Sequence, residues 1–192
     1  MNFLAVPTFV KAMKDVTLID GKPLKLEVVV NGIPKPTLQW LKDDETLDEA
    51  AFTCESKDKS HTLSIGAASP NYAGIYKAVA ENSAGKSEVV AKVDVQTKPK
   101  IVKPNDVRII AGSEFSIPVC IEGVPEPKIK WMKDKVELPT SLGVSIIKNE
   151  NMYVMYLAES TTNLNGNYSI AATNPAGTDT VNFKVAVLGT FM

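Results

Sequence analysis

Two stretches of this sequence recur at an almost constant displacement. The run Gly32-Ile33-Pro34-Lys35-Pro36-Thr37-Leu38-Gln39-Trp40-Leu41-Lys42-Asp43 is matched 91 positions later by Gly123-Val124-Pro125-Glu126-Pro127-Lys128-Ile129-Lys130-Trp131-Met132-Lys133-Asp134. The glycine, both prolines, the tryptophan, the lysine and the aspartate return in place. A second run, Gly74-Ile75-Tyr76-Lys77-Ala78-Val79-Ala80-Glu81-Asn82-Ser83-Ala84-Gly85, pairs with Gly166-Asn167-Tyr168-Ser169-Ile170-Ala171-Ala172-Thr173-Asn174-Pro175-Ala176-Gly177 at a displacement of 92. Repetition on this scale means two copies of one folding plan. The 192 residues then divide into two units of ordinary domain size, residues 1–96 and 97–192.

Within each unit the apolar residues alternate, as a half-buried strand requires. Leu24, Leu26, Val28 and Val30 do so in the first unit, and Phe115, Ile117, Val119 and Ile121 in the second. Each run ends at a turn rich in Gly and Pro and is followed by Leu38 and Trp40, or Ile129 and Trp131, with the same period. A charged corner comes next, at Asp43-Asp44 or Lys133-Asp134. Then come Leu63-Ser64-Ile65 or Met155-Tyr156-Leu157, a polar turn and a Gly-x-Tyr strand. Asn82 to Gly85 and Asn174 to Gly177 read as hairpin turns, because Gly and Asn tolerate positive φ. Val89 to Val95 and Val181 to Val187 read as closing strands. No amphipathic helix of useful length is visible. About seven short strands per unit predict an all-β fold of two tandem sandwiches.

Composition narrows the function. Residues 1–97 carry 11 basic and 13 acidic side chains, and residues 98–192 carry 10 and 9, so neither half is a polyelectrolyte. Nucleic-acid and acidic-membrane binding therefore lack their usual electrostatic basis. No stretch approaches a spanning length, and the first seven residues lack the basic and apolar regions of a secretory signal.

The ordered set Gly-x-Pro-x-Pro, Trp, Leu-x-Ile and Gly-x-Tyr-x-x-x-Ala-x-Asn-x-x-Gly, present twice, resembles the intermediate-set (I-set) immunoglobulin domains of giant muscle proteins such as titin, twitchin and obscurin. The resemblance covers nearly the whole chain. It implies that Trp40 and Trp131 are the buried core tryptophans, and that Tyr76 and Tyr168 bond through their hydroxyls to a chain corner. The acidic residue that often stands four positions before such a tyrosine is replaced here by Tyr72 and Leu164. The two half-cystine positions of the wider immunoglobulin class fall on Val28 and Ala78, and on Val119 and Ile170, so the usual bridge cannot form. Cys54 and Cys120 lie in different units, one in each, which argues against an internal disulfide and points to a reducing, cytosolic compartment. The single glycosylation triplet, Asn167-Tyr168-Ser169, is expected to be a chance occurrence.

Catalytic and metal readings want for parts. His61 is the only histidine. A Cys54–His61 pair across a hairpin would mimic a thiol–imidazole couple, but an exposed His61 and a half-buried Cys54 account for both residues more simply. Asp43-Asp44-Glu45 with Asp48 and Glu49 lacks the spaced ligands and glycine of a calcium loop, and reads as a solvated corner. No phosphate-cradling glycine loop is present. No catalytic residue, cofactor or metal is expected.

Between the closing strand and Pro99 only Gln96, Thr97 and Lys98 remain. The hinge is accordingly placed at Gln96, Thr97, Lys98 and Pro99, and a connector this short, ended by a residue of fixed φ, predicts restricted motion. Lys92, Lys98, Lys100 and Lys103 form a modest basic concentration, a candidate filament contact that competes with a solvated, aggregation-resisting edge. The resemblance implies a non-enzymatic spacer and docking module in the cytoplasm of the sarcomere, monomeric in isolation. Its partners would be neighbouring immunoglobulin domains and other sarcomeric or cytoskeletal proteins, with actin as a candidate. The alternative is an actin-binding or signalling adaptor pair of the palladin or myotilin type.

Overall fold

The computed structural model describes residues 3–47, 50–138 and 143–189, and the chain divides into two compact units, Met1–Gln96 and Thr97–Met192. Asp48 and Glu49 lie outside the described residues. Unit 1 contains β1 (Ala5–Lys11), β2 (Val16–Ile19), β3 (Leu24–Ile33), β4 (Thr37–Lys42), β5 (Glu45–Thr46), β6 (Thr53–Lys57), β7 (Ser60–Ile65) and β8 (Gly74–Asn82). The next strand, β9 (Gly85–Ile101), is long: residues 85–96 pair within unit 1 and residues 97–101 within unit 2. Unit 2 continues through β10 (Val107–Ile110), β11 (Phe115–Val124), β12 (Lys128–Lys133), β13 (Val136–Glu137), β14 (Ser145–Asn149), β15 (Met152–Leu157), β16 (Gly166–Asn174) and β17 (Gly177–Leu188). Two short 3₁₀ turns, Pro70–Tyr72 and Thr162–Leu164, are the helical elements among the described residues.

Each unit is a two-sheet sandwich, as the repeated strand pattern predicts. In unit 1 one sheet runs β1-β3-β7-β6, and the other sets β8 between β4 and β9, with β5 beyond β4 and β2 parallel to β9. Unit 2 repeats the plan with β9-β11-β15-β14 facing β10-β17-β16-β12-β13. The cause is alternation: Leu24, Leu26, Val28 and Val30 point inward from β3 and leave the intervening residues outside, while Phe115, Ile117, Val119 and Ile121 do the same in β11. Burying such faces against each other supplies most of the stabilisation that a bridge-free sandwich needs.

The tryptophans anchor the facing sheets. Trp40 pairs in register with Ala78, and Trp131 with Ile170. Both indoles are less than a tenth exposed, and Val28, Ala78, Val119 and Ile170 are fully enclosed. The four positions that the resemblance equates with half-cystines are thus filled by packed hydrocarbon.

Tyr76 and Tyr168 are also enclosed. Their hydroxyls donate to the backbone carbonyls of Tyr72 at 2.8 Å and Leu164 at 2.9 Å, each on the 3₁₀ turn four residues upstream. The corner is therefore closed by a main-chain acceptor, and the identity of the side chain at that position is immaterial to the bond. Burial raises both phenol pKa values to about 12, so each tyrosine stays a neutral donor well into the alkaline range.

Candidate interaction surface

The charged corners are built turns. Asp43 and Asp44 have φ of 52° and 66°, and Asp134 and Lys135 have φ of 48° and 70°; two consecutive left-handed residues make the tight hairpin that suits twisted strands. Asp43 Oδ1 then accepts the amide of Ile75 at 2.8 Å, and Asp134 Oδ1 that of Asn167 at 2.9 Å. Lys42 and Lys133 hydrogen bond to the same carboxylates, which with those amides hold both aspartates below the usual carboxylate range. Gly74 and Gly166 stand against them: a Cβ at either position would lie 2.6 Å from an aspartate oxygen. Among the described residues no group of three or more His, Cys, Asp or Glu is placed to hold a metal ion.

The hairpin turns differ from expectation in their chemistry. Gly85 and Gly177 take positive φ, but Asn82 and Asn174 do not. Each asparagine works through its side chain instead. Asn82 Nδ2 donates to the carbonyls of Ala5 and Pro34 at 2.8 and 2.9 Å while its Oδ1 accepts the amide of Ala84 at 2.9 Å. Asn174 repeats this with Thr97, Pro125 and Ala176. The recurrence of Asn in both repeats was the available signal, and three long-range carbonyl and amide partners are what the sequence does not display.

His61 and Cys54 reverse their expected environments. His61 lies on the inward face of β7 with Leu63 and Ile65 and is 8% exposed, whereas every residue of the edge strand β6, Cys54 included, is exposed. Strand parity decides the first, and a position on the outermost strand of its sheet the second. The register also separates them, since Cys54 faces Leu63 and His61 faces Ser56, whose Oγ lies 2.8 Å from His61 Nδ1. Burial, aided by Lys35, lowers the imidazole pKa. Cys120 is half-buried, and Asn151 Nδ2 donates to its sulfur at 3.4 Å.

Of the residues placed at the hinge, Gln96 and Thr97 are hydrogen bonded, one into each unit, while Lys98 and Pro99 pack within unit 2. Gln96 pairs with Ile19 and accepts the amide of Asp20 at 2.8 Å. Thr97 Oγ1 accepts the amide of Val124 at 2.9 Å, and its carbonyl accepts Asn174 Nδ2. Lys98 packs beside Gly177, and Pro99 is buried near Gly123. Of the four lysines, Lys92 belongs to unit 1 and pairs with Asp94 at 3.0 Å. Lys98, Lys100 and Lys103 belong to unit 2 and are exposed, with Glu122 opposite Lys100 across the strands.

A chain of two bridge-free β-sandwiches with tyrosine corners belongs to the immunoglobulin class. Residues 7–95 and 99–187 each match the immunoglobulin I-set domain, and the chain belongs to that family. It is 33% identical over 184 residues to the muscle M-line assembly protein unc-89 of Caenorhabditis elegans, covering 90% of this chain and 2% of that protein. It is 26% identical over 185 residues to Titin of Drosophila melanogaster, covering 95% and 1%. It is 29% identical over 181 residues to Palladin of Rattus norvegicus, covering 89% and 30%. The chain thus spans a small part of each relative. Among solved structures, Titin-A168169 matches with a TM-score of 0.76 and 21% identity over 95% of this chain and 99% of that one, a likeness of fold.

Proposed function

We propose that this chain is a non-enzymatic structural and interaction segment of a giant sarcomeric scaffold: a semi-rigid spacer that transmits load and offers docking surfaces. One observation carries the spacer reading. Gln96 is hydrogen bonded into the first sandwich and Thr97 into the second, so no residue is left over to act as a free coil. A linker without slack keeps hinge motion small. The placement in the reducing cytoplasm of the sarcomere is supported by the hydrocarbon at all four half-cystine positions, and by the likeness to a muscle M-line assembly protein.

Small-angle scattering at two concentrations and two salt levels tests this reading. A monomeric, elongated profile that is insensitive to both is expected, while a compact or concentration-dependent one would count against a spacer. The adaptor reading is favoured by one feature, the exposed Lys98, Lys100 and Lys103 on unit 2. Co-sedimentation with filamentous actin decides it: binding lost when the three are replaced by Glu would support a filament contact, and no pelleting of the unaltered chain would remove it.

A further inference from the structure

Each unit ends one of its sheets on a short strand, β6 in unit 1 and β14 in unit 2. Among the described residues each is paired on one side only, with β7 or β15. The free side of such a strand offers unpaired amides and carbonyls to any extended chain, and exposed edges are ordinarily guarded by charge, proline or a bulge. Unit 1 follows that rule. The outward face of β6 is Thr53, Glu55 and Lys57, and across the strands Glu55 stands in a row with Thr62 and Glu27.

Unit 2 departs from it at the same positions. The row that corresponds to Glu55, Thr62 and Glu27 is Ile147, Val154 and Pro118. The lysines that flank the unit 1 row, Lys57 and Lys25, are answered by Asn149 and Ser116. Four charged side chains on the outer face of the first domain therefore have no charged counterpart in the second. Ile146 and Ile147 are both exposed on the edge strand itself. Its one charge, Lys148, lies on the opposite face of the strand, where it pairs with Glu126 and stands 5.9 Å from the centroid of the Tyr153 ring. No proline and no register shift interrupts β14.

We propose that β14 is a docking edge for an extended, uncharged segment of a partner protein, which joins the β9-β11-β15-β14 sheet as a further strand. The free main-chain groups of β14 make the occupant a strand, because only an extended chain repeats donors and acceptors at their spacing. The uncharged row decides its composition. Apolar side chains at alternate positions lie beside Ile147 and prolong the strip through Val154, whereas a carboxylate or ammonium there would lose hydration with no opposite charge to meet it. A second copy of this chain is a poorer match. Two β14 strands paired antiparallel about Ile147 set Ile146 of each copy opposite Lys148 of the other, pressing a cation already bonded to Glu126 against an aliphatic side chain. The site rests on the docking half of the proposed function and is independent of the spacer half.

The test is a titration of the whole ¹⁵N-labelled chain with the peptide acetyl-Ser-Val-Thr-Val-Thr-Val-Ser-amide, read by amide correlation spectra and amide hydrogen exchange. Saturable shifts centred on β14 and β15 are expected, with slowed exchange at alternate amides of β14. The peptide acetyl-Ser-Val-Pro-Pro-Thr-Val-Ser-amide should bind about tenfold or more weakly, because successive amides point to opposite sides and one of the two prolines must face β14. Ile147→Glu, which installs the residue of unit 1 at an exposed position, should weaken binding of the first peptide by about the same factor, and Ile147→Val should retain it. Well-dispersed spectra establish that Ile147→Glu is folded. No saturable shift, equal binding of the proline peptide, equal shifts at β6, or unchanged binding by a folded Ile147→Glu protein would each overturn the site. Shifts at β14 that follow protein concentration without peptide would also overturn it, by giving the edge to a second copy. Scattering of the free chain does not depend on the peptide, so the spacer reading stands or falls separately.

Discussion

The side-chain amide of Asn174 donates to the backbone carbonyl of Thr97 at 2.8 Å, joining the turn after β16 to the first residue of unit 2. The same amide reaches Pro125, and its oxygen accepts Ala176, so one side chain ties together three separate segments. Asn174→Asp keeps the shape and the Ala176 bond but sets an anion against two carbonyl oxygens. A loss of about 1–3 kcal/mol, confined to the unit 2 unfolding transition, is expected by chemical denaturation, and Asn174→Ala should fall in the same range.

Tyr76→Phe removes the hydroxyl that closes the unit 1 corner on Tyr72. About 1 kcal/mol of unit 1 stability should be lost at neutral pH. The folded pKa of about 12 lies above the unfolded value near 10, so the unfolded chain releases this proton first. Stability from this group is therefore full below pH 10 and declines as pH rises toward 12. The alkaline decline of unit 1 should be shallower in Tyr76→Phe, measured by denaturant titration across that range.

His61 titrates with the opposite sign. Burial holds its folded pKa below 6.5, so the unfolded state takes up the proton first, and unit 1 should weaken as pH falls from about 6.5 toward the lowered folded value. Unit 2 has no histidine and serves as the control within the same molecule. His61→Tyr, which installs the residue of the second repeat, should abolish this acid dependence of unit 1 between pH 6.5 and 5 in thermal melts.

Trp40→Ala or Trp131→Ala should cost about 3–5 kcal/mol in its own unit, enough to unfold a marginal domain. Trp131 Nε1 is buried without a partner, so Trp131→Phe forfeits no hydrogen bond and should cost much less than Trp131→Ala. Calorimetry that showed an unchanged unit 1 transition in Trp40→Ala would contradict the placement of Trp40 in that core.

What could be read from the sequence was what depends on period and on repetition. The alternation of Leu24, Leu26, Val28 and Val30, echoed by Phe115, Ile117, Val119 and Ile121, specifies strands with one buried face whatever they pair with, and the doubled Trp and Gly-x-Tyr signals specify the sandwich. What stayed hidden depends on partners distant in sequence. The use of Asn82 rests on carbonyls 77 and 48 residues away. The tyrosine corners rest on backbone atoms that carry no residue identity. The exposure of Cys54 rests on β6 being an edge, and the burial of His61 on its parity with Leu63, which becomes visible once the strand is known.

Single-molecule stretching of the pair within a polyprotein tests the central claim most directly, that these are two independent sandwiches joined without slack. Two unfolding events are predicted, each releasing about 90 residues, or roughly 300 Å of contour length at about 3.4 Å per residue, with no smaller extension from a linker before the first. A single event of twice that length, or a soft extension of tens of ångströms preceding unfolding, would contradict it.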